Sequence, residues 1–504
     1  MLTTGDLMFK KHVYKKLNLK KGKTLEDLIQ ACQKSFDFVS YQATEKAPFH
    51  LHYIKSLVDE KQIDSHISSY TKNPELPTLI DLEQSIPIEG TKIIQKIEEI
   101  EQSLLSGHVI IQVTKHDNEV LAVPVQQKEQ RSVDIPENEF TVIGPKEAFI
   151  ESLDVNLNLI RKRLPVPELV IKEFIVGSIS KSRVAVLHMD GITNTQLVQT
   201  LTERINEVDY DEIVDSSQIT QLISDNPNSY FPQLLETERP ERVASALVEG
   251  KVVFTMEGSP QAMIGPTNLL EFFSSPDDHY MMWPLSMFFR IIRLLAVLFS
   301  VLATSVYIAV TTYHHEVIPD VLLNTMVASR LEVPYPPIIE VILLELTVEL
   351  LREAGARLPS RIGQTIGIVG GIVIGTAVVE ASLASSVLLI LIGLTALSSF
   401  TTPIYQMGNT IRILRFPFII FAQWFGFFGM AICLAIHLLH LIKLTSLGYP
   451  YLSPLYPFRV RDFRDEILKL PIQKLENRPE VLRSQKKKRF ISKYRKHPPK
   501  DIEE

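Results

Sequence analysis

Cysteine is nearly absent. Cys32 and Cys433 are the only two in 504 residues, 401 positions apart, so they make neither a Cys-x-x-Cys site nor a disulfide framework. The chain also lacks a His-Glu-x-x-His zinc motif, a Gly-x-Ser-x-Gly elbow and a Walker A loop, which removes the commonest metalloprotease, hydrolase and nucleotide-binding signatures. Lys10, Lys11, Lys15, Lys16, Lys20, Lys21 and Lys23 crowd the N-terminus with no apolar run behind them. That is not a secretory signal, and the first part is expected in the cytoplasm. An excess of positive charge is missing too. The net charge of -6 argues against a nucleic-acid binder, and a 45% hydrophobic content argues against disorder.

Hydrophobic residues, by contrast, are concentrated. A mean hydropathy of +0.11 beside 22% charged residues points to one polar and one very apolar part, within a length that allows roughly three domains. Charges recur every few positions as far as about Pro284. Long uncharged runs follow at 294–313, 362–379, 381–411 and 416–442, the first being 20 residues, enough to cross a hydrocarbon core of about 30 Å. The stretch 336–351 is also apolar but carries Glu340, Glu345 and Glu349. Each acid would cost about 2.5–3.5 kcal/mol at a bilayer centre, so this stretch is expected to be interfacial, re-entrant or packed against protein.

Basic residues set the orientation. Arg290 and Arg293 precede the first run, and 483–500 holds nine Lys/Arg and no acid, so both flanks are expected on the cytoplasmic side. That requires an even number of crossings, and four are expected, at the cost of placing Arg412 and Arg415 outside. A five-span alternative keeps those two inside but exports the basic tail.

The polar half reads as α/β. Val184–Met189 is a β-type run ending in Asp190-Gly191, and Asn194 caps a helix with Leu197, Leu201 and Ile205 on one face. Residues 104–113 (LLSGHVIIQV) and 247–256 (LVEGKVVFTM) echo each other. Each closes a helix on a glycine, Gly107 or Gly250, and enters a strand. The expected organisation is a cytoplasmic α/β region of two lobes, 1–130 and 131–284, then an α-helical polytopic membrane domain, 285–445, and a basic tail, 446–504.

Candidates for chemistry are few. His314, His315 and Glu316 follow the first span, where polar residues are expected without a metal. His50 and His52 fit alternate faces of a strand, and His437 and His440 fit one end of the last span. Gly363, Gly367, Gly371 and Gly375 recur every four residues and share one helical face, which lets helix backbones approach closely. Glu380 follows as the only charge between Arg361 and Arg412. It reads either as an intramembrane functional acid or as an interfacial cap.

Several long segments resemble one family in order. They are GPKEAFIESLDVNLNLIRKRL (144–164), Asp190-Gly191-Ile192, SYFPQLLETERP (229–240), SPDD (275–278), LREAGARLP (351–359), IGQTIGIVGGIVIG (362–375) and GYPYLSPLYP (448–457). The chain resembles the A subunit of the GerA-type nutrient germinant receptors of bacterial endospores. It departs from the family pattern at Ala148, usually Gly, and at 381–386, where Gly and Pro are replaced and the local helix break comes into doubt. The resemblance implies a sensor in the inner spore membrane rather than an enzyme, with no cofactor. It implies a transporter-like B subunit and a lipoprotein C subunit as partners, and a homo-oligomeric ring, a pentamer, acting as a nutrient-gated ion channel.

In such a ring Glu380, Glu316 or Asp320 would line a cation pathway. The glycine stripe would be the gating or pore-facing surface. The signature at 144–164 reads as an amphipathic packing helix or, more sharply, as a subunit contact through Glu147, Asn156 and Arg161. A secondary transporter, a membrane-anchored signalling scaffold without a pore and a membrane-bound enzyme are the competing classes.

Overall fold

A computed structural model of the chain describes residues 24–44, 48–73, 76, 78–113, 119–127, 136, 139, 141–357, 370–371, 373, 375–459, 461–463, 470–471 and 475–489. The polar half contains two five-stranded antiparallel sheets. The first is built from β1 (Phe38–Gln42), β2 (His50–Ile54), β3 (Lys92–Ile94), β4 (His108–Gln112) and β5 (Val120–Pro124), in the order β1-β2-β4-β5-β3. The second uses β6 (Leu169–Val176), β7 (Ser182–Met189), β8 (Leu235–Thr237), β9 (Val252–Met256) and β10 (Ala262–Gly265), in the order β6-β7-β9-β10-β8.

The two orders are the same path drawn twice. In each lobe a helix precedes the first strand, α1 (Leu25–Cys32) or α6 (Leu153–Arg163), and another precedes the fourth, α5 (Ile97–Leu104) or α9 (Pro240–Glu249). The sequence echo falls on this second helix and the strand after it. Gly107 (φ +81°) and Gly250 (φ +102°) both stop the helix in the left-handed region, where a Cβ would be strained.

The central strands of each sheet are buried on both faces, which explains their near-continuous apolar sequences. In β4, Val109 and Ile111 enter one core and Ile110 the other. In β9, Val253 faces one core while Val252, Phe254 and Met256 face the second. Helices α2 (Glu60–His66), α3 (Ser68–Thr71) and α4 (Leu79–Ser85) lie in the first lobe, and α7 (Thr195–Asn206) and α8 (Ser216–Ile223) in the second. Their starts are capped locally: Thr24 with Asp27, Thr78 with Asp81, and Asn194 onto Gln196.

The apolar half is a helical bundle. α10 (Trp283–Thr312) leaves the second lobe. α11 (Asp320–Ala328) and α12 (Pro337–Arg357) follow, then α13 (Ser386–Ser399) and α14 (Tyr405–Lys443). Two of these, α10 and α14, are long and apolar enough to cross a membrane. α14 is not straight. Phe425 and Gly426 leave helical geometry, Gly426 at φ +56°, and the chain doubles back. Phe418 and His437, 19 positions apart, stack with ring centroids at 5.4 Å. In a straight helix they would be about 28 Å apart. α14 is therefore a hairpin of two antiparallel legs, 405–424 and 427–443. Gly429 sits where a Cβ would lie 1.9 Å from the Phe421 carbonyl oxygen.

Side-chain contacts fix the direction of the other helices. Arg330 pairs with Glu340 at the end of the bundle away from the lobes, and Ser385 meets both Glu340 (3.2 Å) and Tyr307 (3.3 Å) there. Arg352 reaches Ser399 (3.2 Å) nearer the lobes. So α12 and α13 both run from the distal end toward the lobes. The charge-free run 381–411, expected as one span, holds all of α13 and the start of α14, separated around Pro403, which cannot continue a helix. The stretch with three acids is a 21-residue helix, α12, with Glu340 and Glu345 buried against protein.

Candidate functional site

The segment 225–239 holds the second lobe onto both feet of the α14 hairpin. On the first foot, Gln406 donates to Glu236, and Thr410 Oγ1 donates to the Tyr230 carbonyl at 2.6 Å. On the second, Ser229 Oγ meets His440 Nε2 at 2.9 Å. Just beyond it, Asp225 accepts from Thr445, from Gly448 N (2.8 Å) and from Arg204. The short β11–β12 ribbon (Thr445–Ser446, Tyr449–Pro450) then tucks under the lobe. Ser446 Oγ donates to Gln233 O at 2.5 Å, and the buried Tyr451 hydroxyl donates to Pro232 O at 2.8 Å. The start of α10 is tied in separately: Asp278 takes Arg293 at 3.1 Å and Arg290 at 3.4 Å.

These polar ties surround a shared core. Leu235, Val253 and Ile264 of the sheet pack in one cluster with Ile404, Met407, Ile411, Leu441 and Leu444 of the hairpin. The lobe and the hairpin feet therefore share one continuous packed core. Burial, with Asp215, Glu238 and Glu139 nearby, pushes the Glu236 carboxyl up to about 7. Burial would also raise Asp225, but hydrogen bonds from Thr445, Arg204 and Gly448 hold it below the usual carboxylate range.

Deeper in the bundle lies an ion pair. Arg415 on the first hairpin leg donates Nη1 to Glu345 Oε2 of α12 at 2.9 Å and Nη2 to Ser300 Oγ of α10 at 3.0 Å. Both charged side chains are at most 2% exposed, so one knot joins three helices. Toward the lobes, Glu349 faces Arg352 at 3.4 Å and Arg412 at 3.6 Å. At the opposite end, α10 closes the hairpin tip. The Tyr313 hydroxyl donates to the Gln423 and Trp424 carbonyls, and His314 Nε2 accepts from Phe427 N. A cavity of about 560 Å³ opens between the second lobe, the α10 start, Arg461, Asp462 and residues 475–480. Its lining charges engage each other, as Lys251 with Glu271 and Arg461 with Glu480.

The residues singled out in the sequence are scattered by this fold. Gly363 and Gly367 lie outside the described residues. Gly371 is exposed, and a Cβ there would meet nothing within 4 Å, while Gly375 is half-buried beside Leu389. Glu380 is exposed where helical residues 375–380 end. The helix break after it is present without the family's Gly and Pro, carried by Ser382 at φ +53° and by Ser385 capping Leu388. Glu316 and Asp320 are exposed at the distal end, and His314 serves as the hairpin cap just described.

Of the three residues expected at a subunit contact, two face inward. Arg161 is buried within the chain against Asp37 and Ser35, and Asn156, fully buried, bonds both backbone groups of Ile150. Neither side chain reaches a surface; only Glu147, paired with Arg163 at 2.5 Å, is partly exposed. His50 and His52 do not take alternate faces. Their rings stack at 6.5 Å, as residues two apart on a strand must.

Glu236, Asp225, Glu345 and Arg415 were not picked out in the sequence as a site. The signal for the last two was there, as charges stranded in apolar surroundings, but not their pairing.

The motifs at 229–240, 275–278, 351–359 and 448–457 thus gather around this joint and the charged knot. Residues 26–481 match the family model described as Bacillus/Clostridium GerA spore germination protein. The chain is 46% identical over 469 residues to spore germination protein GerQA of Bacillus cereus, covering 93% of this chain and 94% of that one. It is 36% identical over 425 residues to spore germination protein A1 of Bacillus subtilis (strain 168), covering 84% and 88%. Among solved structures, the N-terminal domain of the A subunit of the Bacillus megaterium spore germinant receptor GerK3 aligns at 23% identity and a TM-score of 0.35, over 48% of this chain and 94% of that one. With a family model matched over most of its length, the chain belongs to the GerA spore germination protein family.

Proposed function

We propose that the protein is the A-type membrane subunit of a spore germinant receptor, acting by conformational coupling rather than as an enzyme. The observation that carries this reading is the joint. A two-lobed polar region is fastened through 225–239 to both feet of an apolar helical hairpin, so a displacement of the lobe is a displacement of the bundle. The names of its relatives, spore germination proteins, support the same role.

The bundle spans the membrane, with the lobes and the basic tail on the cytoplasmic side. Arg290, Arg293, Arg352 and Arg412 lie toward the lobe end, the distribution of cytoplasmic flanks. Exposed aromatics mark both ends of the bundle, Trp283 and Phe288 near the lobes and Tyr313, Trp424 and Phe428 at the tip, as interfacial belts do. A transporter-like B subunit and a lipoprotein C subunit complete the receptor. Copies of this chain form a ring through which nutrient binding opens a cation pathway. The open space at Gly371 supports that arrangement, because that position is available to a neighbouring subunit.

A secondary transporter is the alternative. The broken helix α14 favours it, since interrupted helices line transporter sites. However, this break lies at the bundle tip under Tyr313, not at mid-depth. Potassium release from spores, measured beside receptor abundance by immunoblot, tests the gated-pathway reading. Gly371→Leu is expected to keep abundance and block or deregulate release. Glu380→Gln is expected to lower cation conductance without preventing assembly. Normal abundance with normal release in both variants removes this helix from the mechanism.

A further inference from the structure

Within the bundle, charges do not balance. Around the knot, three guanidiniums, Arg352, Arg412 and Arg415, face two carboxylates, Glu345 and Glu349. Arg415 and Glu345 pair in the buried interior through Nη1 and Oε2, while Arg415 Nε and Glu345 Oε1 have no hydrogen-bond partner among the described residues. That leaves Glu349 shared by Arg352 and Arg412, at the long distances of 3.4 and 3.6 Å. Arg352 turns its other donors to Ser399 Oγ, and its Nε is buried with no hydrogen-bond partner among the described residues. Its guanidinium carbon lies 4.8 Å over the Phe400 ring. Arg412 has Asn409 as a further neighbour.

The place of this excess charge matters. Arg352 and Arg412 keep 16% and 15% of their side-chain surface open. Arg352 lies against Phe400 and Arg412 near Tyr405, and Leu397 precedes Phe400 by about one turn; all three are about two-thirds exposed. Arg415 is level with Ser300 of α10, and Arg412 precedes it by one turn toward the lobes. Arg412 therefore sits between the levels of Ser300 and Arg293, where the uncharged part of α10 begins. That is the depth of the boundary between headgroups and hydrocarbon, where an unbalanced guanidinium is costly and where aromatic rings collect.

We infer that Arg352 and Arg412 form a site for a phosphate group, supplied by the phosphodiester headgroup of an anionic bilayer lipid. Guanidiniums present paired donors that match phosphate oxygens. The phosphate would balance the third cation, and the acyl chains would lie along the exposed Leu397–Phe400 face. A lipid held there bridges α12, α13 and the first hairpin leg, next to the joint with the lobe. The inference rests on the bundle being membrane-embedded.

The test uses the full chain purified in mild detergent. Native mass spectrometry and thermal shift are read with added phosphatidylglycerol, with phosphatidylcholine and with inorganic phosphate. Wild type is expected to retain phosphatidylglycerol and to be stabilised by it, with little response to the other two. Arg352→Gln with Arg412→Gln is expected to weaken that response at least about fivefold, the loss of charge-assisted bonds. The double lysine variant, which keeps charge but not the fork, should fall between and covers the case in which the glutamine pair does not fold. Equal retention by wild type and both variants overturns the site, and a response to inorganic phosphate alone overturns the lipid source. Alkaline carbonate extraction of the same chain separates the two levels. A chain that leaves the membrane fails the membrane reading, and one that stays but retains no phosphatidylglycerol fails this inference alone.

Discussion

Asp37 of the first lobe receives Arg161 of the second edge-on, with Oδ1 2.7 Å from Nη2 and Oδ2 3.0 Å from Nε. Ser35 (2.6 Å) and Ser56 (2.7 Å) donate to the same carboxylate, and Asn158 donates to the Ser56 carbonyl at 2.6 Å. The lobes are thus locked by a buried, fully ligated ion pair.

Removing one side of that lock is expected to be severe. Arg161→Ala leaves Asp37 charged and buried, a loss of about 3–5 kcal/mol, read as early unfolding of the polar half in thermal denaturation. Burial alone would raise Asp37, but Arg161 and the serine hydroxyls hold it below its ordinary value. A depressed acid contributes stability at neutral pH that is lost as pH falls through its folded value. Wild type should lose the lobe contact on acidification, and Arg161→Ala should show a weaker acid dependence. An unchanged melt in the variant contradicts the lock.

At the joint the pH dependence has the opposite sign. Glu236 is raised to about 7. Its contribution is therefore fully present below its unfolded value and is lost as pH rises through about 7. The shift corresponds to at most about 3 kcal/mol, reduced by screening because the side chain is only partly buried. Hydrogen exchange at the feet of the hairpin should rise between mildly acidic and mildly alkaline pH, and Glu236→Gln should flatten that rise. A wild-type profile flat across neutrality sinks the assignment.

The intrabundle pair calls for a comparison of single and double variants. Arg415→Leu or Glu345→Leu alone strands a buried charge and is expected to cost about 3–5 kcal/mol. The double Leu variant should recover most of that stability in detergent, because two desolvated charges are replaced by apolar packing. If it assembles normally yet fails to support germination, the pair serves gating. Additive losses in the double variant exclude a direct pairing.

The hairpin turn can be tested at its tightest point. Gly429→Ala puts a methyl group into the Phe421 carbonyl, so the legs cannot close as they do. Low protein level is expected, with a loss of more than about 3 kcal/mol, in the range of severe backbone clashes. Tyr313→Phe removes the hydroxyl that caps Gln423 and Trp424 and should cost about 1–2 kcal/mol. Wild-type abundance of Gly429→Ala would argue for a straight α14.

Local chemistry made much of this readable from the sequence alone. The change from charge-rich to charge-free segments, the Asn194 cap and the glycine stops at 107 and 250 depend only on neighbours in the chain. The alternation of strand faces is equally local, although His50 and His52, expected on alternate faces, are two apart and stack on one face. What the tertiary structure decided were relations across distance. Pro403 marks the break at 400–404 in the sequence itself, but an uncharged run has the same composition whether it is straight or folded back, so the reversal at Phe425–Gly426 could not be placed. Arg161 looks like any cation near a helix end until Asp37, 124 positions away, is brought against it. Glu345 and Arg415 each looked like an obstacle to crossing a membrane. Only the antiparallel packing of α12 on the first hairpin leg makes each the reason the other can be buried.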